Sequence, residues 1–462
     1  MMKMIKGVMK GLSWILLSLL AFVVCAYLLL LAANMRDSEP SASALQLQRF
    51  TEQRMQAATG NNAYAYVMGF AAASDIDPLH FGNDRIKVIN QTFNTDGNVR
   101  EADKTIYSPT PMFPEVFTQL ATTCQFQNLT CQQQLIAEQD QLTSLLQQQD
   151  WLLARYQKLL AFNEWHENVP VSTQTPMPDY RLITKAQTLL MTHAWLLATQ
   201  QDAIAVNRLL TADIHFWRKA LADADTLLSK LVITGLIKND LGWANLILQQ
   251  LTPDNVAAAT PQIWALPFND EERAMLPALA GEWALFNNTI KHDLRSQQMD
   301  SSIANDLSIL LLKPLIQKQE SANRYADLVL SINDTLQVTY EQLPAAIEHL
   351  NNLPPNKIAA GVPFKLYNPV GELMLAGNHV ALGSYAAKVA DLEGLRRMSV
   401  MLAEFRSRGL SASELQQQLS QSTLHNPYTD QPYLWDAVQQ SVIFNGLNGS
   451  SYRFLYKQSS VL

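Results

Sequence analysis

The chain is short of charge. Of its 462 residues only 16% are Asp, Glu, Lys or Arg, against about 25% in an average soluble protein. Lys and Arg number 34 against 41 Asp and Glu, a formal net charge of −7. This excludes a nucleic-acid binder, whose affinity rests on clustered phosphate-neutralising cations. Long apolar runs are scarce too: one stretch alone is long enough to cross a bilayer, which excludes a multi-span transporter. Hydrophobic residues at 48% exclude wholesale disorder. Catalytic signatures are missing as well. There is no His-Glu-x-x-His for a zinc protease, no Walker loop and no Gly-x-Gly-x-x-Gly cradle. Gly383-Ser384 lacks the second glycine of a serine-hydrolase elbow. No cofactor is expected.

What is present begins with the apolar run Gly11–Ala33, GLSWILLSLLAFVVCAYLLLLAA. Without a charge, and rising about 1.5 Å per residue, it spans a hydrocarbon core of about 30 Å as a helix. Lys3, Lys6 and Lys10 precede it, while Arg36 is answered by Asp37 and Glu39. The positive-inside rule therefore puts residues 1–10 in the cytoplasm and everything after Ala33 outside. A cleaved signal peptide would have a shorter apolar region followed by a small-x-small site, which Leu31-Ala32-Ala33 matches poorly. Phe22-Val23-Val24 before Cys25 lacks the small residues of a lipoprotein site. A single-pass signal anchor with the bilayer as its first partner is the reading. Cysteine is rare, at 3 residues. Cys124 and Cys131 in TTCQFQNLTCQQQ are close enough to close a small disulfide loop in an oxidising compartment, and no further Cys or His nearby completes a metal site. With the glutamine-heavy text, this points to the inner membrane of a Gram-negative cell and a periplasmic body.

Composition divides that body. Residues 34–60 read as a stalk, small and polar at first and then faintly helical, and 61–130 as a mixed, loop-rich segment with a short apolar stretch and one strand. Residues 131–426 form a helical domain, and 427–462 a β-hairpin or small sheet. From Leu135 to Leu160 apolar residues recur at three, four and seven, ending before Pro170, Pro176 and Pro178. A helix starts at Asp179; Asp202–Leu251 supplies more until Pro253. Asn269-Asp-Glu-Glu272 has capping-box form and opens a helix to about Lys291. Further helices fall at 302–318, 321–350 and 381–408, with Gly409 as C-cap and Ser411-x-x-Glu414 opening another. No fixed repeat period is present, so the fold class is an irregular, mainly α body. The segment 351–380 interrupts it. Ser441-Val-Ile-Phe444, the turn Asn445–Gly449 and alternating Tyr452, Phe454 and Tyr456 make the terminal hairpin.

Leu152-Leu-Ala-Arg-Tyr156, Asp213-Ile-His-Phe-Trp217, Gly281-Glu-Trp283 and Tyr367-Asn-Pro-Val-Gly371 carry a resemblance to uncharacterised proteobacterial proteins with one N-terminal transmembrane helix and a helical exported domain. It implies no activity. Over about thirty C-terminal residues, Asn426-Pro-Tyr-Thr-Asp-Gln-Pro-Tyr433 and VIFNGLNG resemble the tail of the major pseudopilins of type II secretion, with Asn426 and Asp430 in place of the usual Asp and Gly. The resemblance implies a shared hairpin form.

Candidate chemistry is sparse. His166 with Glu164 or Glu167 is a possible acid–base pair near a helix end. Asp75, Asp77 and His80 are suitable in type for a divalent ion, at no EF-hand spacing; as turn formers they also satisfy backbone N–H groups, the plainer role. Asp213, His215 and Arg218, with Asp223 and Asp225, form the most functional-looking patch, with Arg218 facing Asp225 one heptad on as a buried ion pair. The function expected is a non-catalytic interaction or scaffold protein of the envelope with a protein partner. A membrane-tethered hydrolase using carboxylates and His is the alternative, and an accessory factor of a secretion or pilus system a third.

Overall fold

A computed structural model describes residues 2–56, 61–95, 98–104, 129–293, 310–352, 366–376 and 382–456. The chain is mainly helical with a three-stranded antiparallel sheet near its end. Helix α1, Met2–Ala33, contains the apolar run and continues unbroken through residues 2–10. Its Leu12, Trp14, Phe22 and Leu29 side chains are exposed. Helix α11, Leu227–Leu248, is also long and apolar enough to cross a membrane, but 72% of its apolar window is buried inside the body.

The expected stalk is corrected. Residues Ala42–Gln56 form helix α2, which lies against two later helices, Leu276–Asn288 and Lys318–Leu336, and buries Ala44 and Leu47. Polar text hid this because a helix docked along a narrow stripe needs only a few apolar residues. The loop-rich reading of 61–130 is corrected too, as far as it is described. Helices α3, Ala63–Met68, α4, Pro78–Asn94, and α5, Val99–Lys104, replace the expected strand, and KVINQTFN belongs to α4. Asp77 and Pro78, a turn pair by composition, are the N-cap and first residue of α4. Residues 105–128 lie outside the described residues, and with them Cys124 and the disulfide assigned to it. Cys131 is fully buried, and Cys25 is the free cysteine among the described residues.

The periodic stretch after Cys131 is three helices rather than one: α6, Leu129–Ala137, α7, Gln139–Gln148, and α8, Asp150–Leu159. Next come α9, Tyr180–Thr199, α10, Ala203–Asp223, and α11, each opened by a side-chain cap from Asp179, Asp202 or Thr226. Pro253 does not stop a helix but occupies the first turn of α12, Pro253–Ala259. The Asn269–Glu272 capping box is formed but serves a single turn, α13, Asp270–Arg273. Its continuation is the separate α14, Leu276–Asn288, opened around Pro277. Helices α15, Lys318–Leu336, α16, Leu343–Asn351, α17, Pro369–Ala376, α18, Leu382–Ser407, and α19, Ala412–Gln421, complete the body. Gly409, at φ +66°, ends α18 with Leu410 N–H bonded to Phe405 O at 3.1 Å.

Helices α9, α10 and α11 pack on one another, and α18 crosses α11 and α12. Trp195, Trp217 and Trp264 are fully buried in one apolar cluster that runs from Ala44 to Tyr456. The expected boundaries at 130 and 427 therefore do not part the core. Strands β1, Leu434–Asp436, β2, Ser441–Asn445, and β3, Ser451–Leu455, pair in sequence order, with Val442 opposite Phe454 and Phe444 opposite Tyr452. Asp430 stands at φ +52°, in the left-handed region that Asp and Asn enter more readily than other residues with a side chain. Asn426 accepts from Tyr428 N–H and donates to Asn445 O at 3.0 Å, so this turn is tied to the end of β2.

Candidate functional site

Two connections meet beside a cavity of about 600 Å³. One is the irregular segment after α8, the other the link between α10 and α11. Asn62 pins the first by both ends of its amide, Nδ2 to His166 O at 2.7 Å and Oδ1 from His166 N–H at 3.0 Å. Trp165 packs edge-on to Tyr64 and Trp217, with centroids 5.7 and 6.1 Å away. The next residue after His166, Glu167, is therefore held inward and buried.

Glu167 and Asp225 exchange bonds. Glu167 Oε1 accepts from Asp225 N–H at 3.1 Å, while Glu167 N–H reaches Asp225 Oδ2 at 3.4 Å. Thr226 Oγ1 donates to Glu167 Oε2 at 3.1 Å. Arg54, from α2, donates through Nε to Asp225 Oδ1 and through Nη2 to Asp223 O at 2.8 Å. Gly281 of α14 lies so close to Asp225 O that a Cβ there would overlap it. Burial, with Asp225 adding to it, lifts the Glu167 carboxyl to about 7. Burial also raises Asp225, against the pull of Arg54.

The cavity lies between α2, α4 and α14, and its walls include Thr51, Asn90, Phe93, Trp283 and Asn287. Glu167 and Pro170 also line a cavity of about 120 Å³ on their other side. That space shares Leu228, Glu282 and Leu285 with a third, of about 600 Å³, that reaches Tyr325 and Tyr385. The three share walls in series along one side of the body.

The expected residues are only partly gathered here. Glu167 is at the cavity wall. Half-buried His166 lies near Asp223 and Asp225 and favours their charged forms, and its buried Nδ1 has no hydrogen-bond partner among the described residues. Glu164 contributes its backbone, its carbonyl accepting from Ala63 N–H at 2.8 Å. His215 is exposed on α10. Asp213 is elsewhere in the core, accepting from Tyr156 Oη at 2.6 Å and Gln187 Nε2 at 2.7 Å. Burial lifts it to about 7. The Arg218–Asp225 pairing is corrected: Arg218 makes a two-pronged pair with Glu272, Nε to Oε1 at 2.6 Å and Nη2 to Oε2 at 2.7 Å. Its remaining donors reach the carbonyls of Ile263, Leu266 and Pro267.

The metal candidates do not converge. Asp75 is exposed, Asp77 caps Leu79 N–H at 2.7 Å and lies 3.3 Å from Lys158, and His80 faces Asp84 at 3.5 Å. Among the described residues no group of His, Cys, Asp and Glu is placed to hold a metal ion.

Three ionisable groups had no sequence signal, the partly buried Arg54 and the buried Asp240 and Lys230. Arg54 sits in polar text far from Asp225. Asp240 is fully buried, and both its carboxylate oxygens have no partner among the described residues. Lys230 interrupts an apolar helix and donates to Leu221 O at 2.7 Å and Glu272 O at 3.0 Å; burial lowers it to about 7. The chain matches no protein-family model, curated protein or solved structure.

Proposed function

We propose that this is a membrane-anchored interaction protein of the bacterial envelope, with its N-terminus in the cytoplasm and its body in the periplasm, acting without catalysis. One observation carries the reading: Glu167, Asp225 and Arg54 bond to one another, to Thr226 and to the backbone, whereas most of the remaining polar wall is amide, from Gln48, Asn90, Asn94, Asn287 and Asn288, beside the rings of Phe50, Phe93 and Trp283. Amide side chains both donate and accept, as a peptide backbone does, and aromatic walls bury an apolar side chain. The partner is accordingly a segment of another envelope protein seated between α2 and α14. A photo-crosslinking amino acid at Thr51 or Asn287 of the full chain, in cells, tests this. A single discrete protein adduct, lost when Ala284→Trp fills the cavity, is expected. No adduct at either position would overturn it.

Membrane-tethered hydrolysis is a second reading, favoured by Glu167, an acid at about 7 opening on two cavities beside a second carboxylate. Glu167→Gln keeps the shape and removes the proton. A folded variant that loses its cellular phenotype yet keeps its crosslinked partner supports this reading, and a phenotype that persists supports the first.

A further inference from the structure

Where α1 ends, the chain does not swing free. Asn34, 6% exposed, donates from Nδ2 to Leu30 O and to Leu366 O, each at 2.7 Å, and accepts Asn368 N–H at 2.7 Å. Gln317 Nε2 closes on Asn34 O at 2.7 Å. Asp37 then accepts the N–H groups of Gln319 and Glu320 at the start of α15, at 2.8 and 3.1 Å. Asn323 holds Glu39 O at 2.8 Å. The anchor and the body are thus joined by a row of hydrogen bonds that leaves no slack at the exit.

One contact reaches further back along the anchor. Tyr27 Oη donates to Leu311 O at 2.9 Å. Tyr27 lies about 9 Å along the helix axis before the end at Ala33, so the helical segment 310–312 sits beside the apolar part of α1 rather than beyond it. That segment reads Leu-Leu-Leu, and its first and last side chains are 68% and 48% exposed. Leu366, beside Asn34, is 60% exposed. These leucines continue the exposed apolar surface of α1 at Leu28 and Leu29. Lys313 and Arg36, both exposed, follow where the apolar surface gives out.

From this juxtaposition, Tyr27 against Leu311 with a fixed exit at Asn34, we propose that the body is itself a membrane-seated domain whose Leu310–Leu312 segment and Leu366 enter the acyl-chain region of the outer leaflet. Its occupant is lipid, because the patch is continuous with the surface of a helix that lipid covers; the inference rests on the reading of α1 as a bilayer anchor. A backbone at that depth must be satisfied internally, as the helical segment and the Tyr27 bond at Leu311 O provide. Burying a few leucines beside one anchor fixes tilt and height rather than adding a second span. It also sets how the cavity between α2 and α14 faces the membrane, since both helices pack with α15, where the exit is tied.

The test is depth-resolved quenching on the full chain in nanodiscs of phosphatidylethanolamine and phosphatidylglycerol, with and without acyl-chain bromine. A dansylalanine is placed in turn at Leu310, Leu312, Leu366, Phe22 and Val438. Val438, 92% exposed in the turn between β1 and β2, and Phe22 in α1 are the references. The expected result is quenching at Leu310 and Leu312 within about twofold of that at Phe22 and none at Val438. Quenching at Phe22 alone would overturn the seated body and leave the anchor standing. No quenching at Phe22 would overturn the anchor and the inference with it. Because Leu310 and Leu312 are exposed, probes there do not disturb the core.

Discussion

Arg218 and Glu272 face each other as two parallel hydrogen bonds in the core, each side chain under 10% exposed. Glu272 also holds Asn269 N–H at 2.7 Å, so one carboxylate joins the α13 cap to α10. Removing one member strands the other in low dielectric, whereas removing both need not. Arg218→Met is expected to cost about 3–5 kcal/mol. Combining Arg218→Met with Glu272→Gln should recover much of that loss. Chemical denaturation of the single variant, the double variant and the parent checks it; equal losses in both variants would show that the pair, and not the stranded charge, sets the stability.

Asp240 lies close enough to Asp213 that their charges oppose each other, and burial is the main cause raising both. In an unfolded chain both ionise near pH 4. Between about pH 4 and 7 the folded state therefore holds protons that the unfolded state has released, so the stability these acids contribute is complete at low pH and is lost as pH rises. Asp240→Asn keeps the shape and cannot ionise. Its melting temperature should exceed the parent's at pH 8 and converge with it near pH 4. Parallel curves across that range would contradict the assignment.

Local signals were legible and distant ones were not. Asp179, Asp202, Asn269 and Ser411 announce helix starts because a cap is made within a few residues. Gly409 announces a stop for the same reason. Pro253 misled, since the residue that breaks a helix interior is also welcome in its first turn, and the helix read from Asn269 through Pro277 divides before that proline. The docking of helix α2 was hidden because its buried stripe is short of leucine. At the candidate site His166 and Glu167 stood out by type, but their true neighbours, Arg54 and Asp225, arrive from other elements. Helical spacing sees only its own helix, so Arg218 pointed to Asp225 when its partner was Glu272.

The thiols give a separate check on the exported reading. Cys25 is free in α1 and Cys131 is buried. If Cys124 and Cys131 are joined, alkylation of the denatured, unreduced chain should modify Cys25 alone, and reduction should open the other two. Intact mass reads the count. Modification of all the thiols without reduction would argue for a reducing compartment.

Gly394 of α18 supports the Phe444 ring of β2, and a Cβ there would overlap the ring. Phe444 also packs against Tyr428 and Tyr452, whose hydroxyls both bond Asp391, at 2.7 and 2.8 Å. The sheet is thus fastened to α18 over one turn of helix. Gly394→Ala should cost about 1–3 kcal/mol through overpacking, partly offset by better helix propensity. Exchange protection should fall in β2 and β3 and persist in α9 to α11. Uniform loss of protection would mean that the sheet is part of one cooperative unit.

Asn34 ties the end of α1 to the body. Its amide makes the bonds to Leu30 O, Leu366 O and Asn368 N–H, which an alanine cannot replace. Each such bond contributes about 1 kcal/mol, so Asn34→Ala should loosen the exit by about 2–3 kcal/mol. The hydrophobic core is untouched, because Asn34 lies outside the apolar cluster. Limited proteolysis of the full chain in detergent should then cut within Met35–Ser41 several times faster than in the parent, while the melting temperature of the body falls little. Unchanged cutting would mean that Asp37 and Gln317 suffice to hold the exit. A large fall in melting temperature would mean instead that the end of α1 is a structural part of the body.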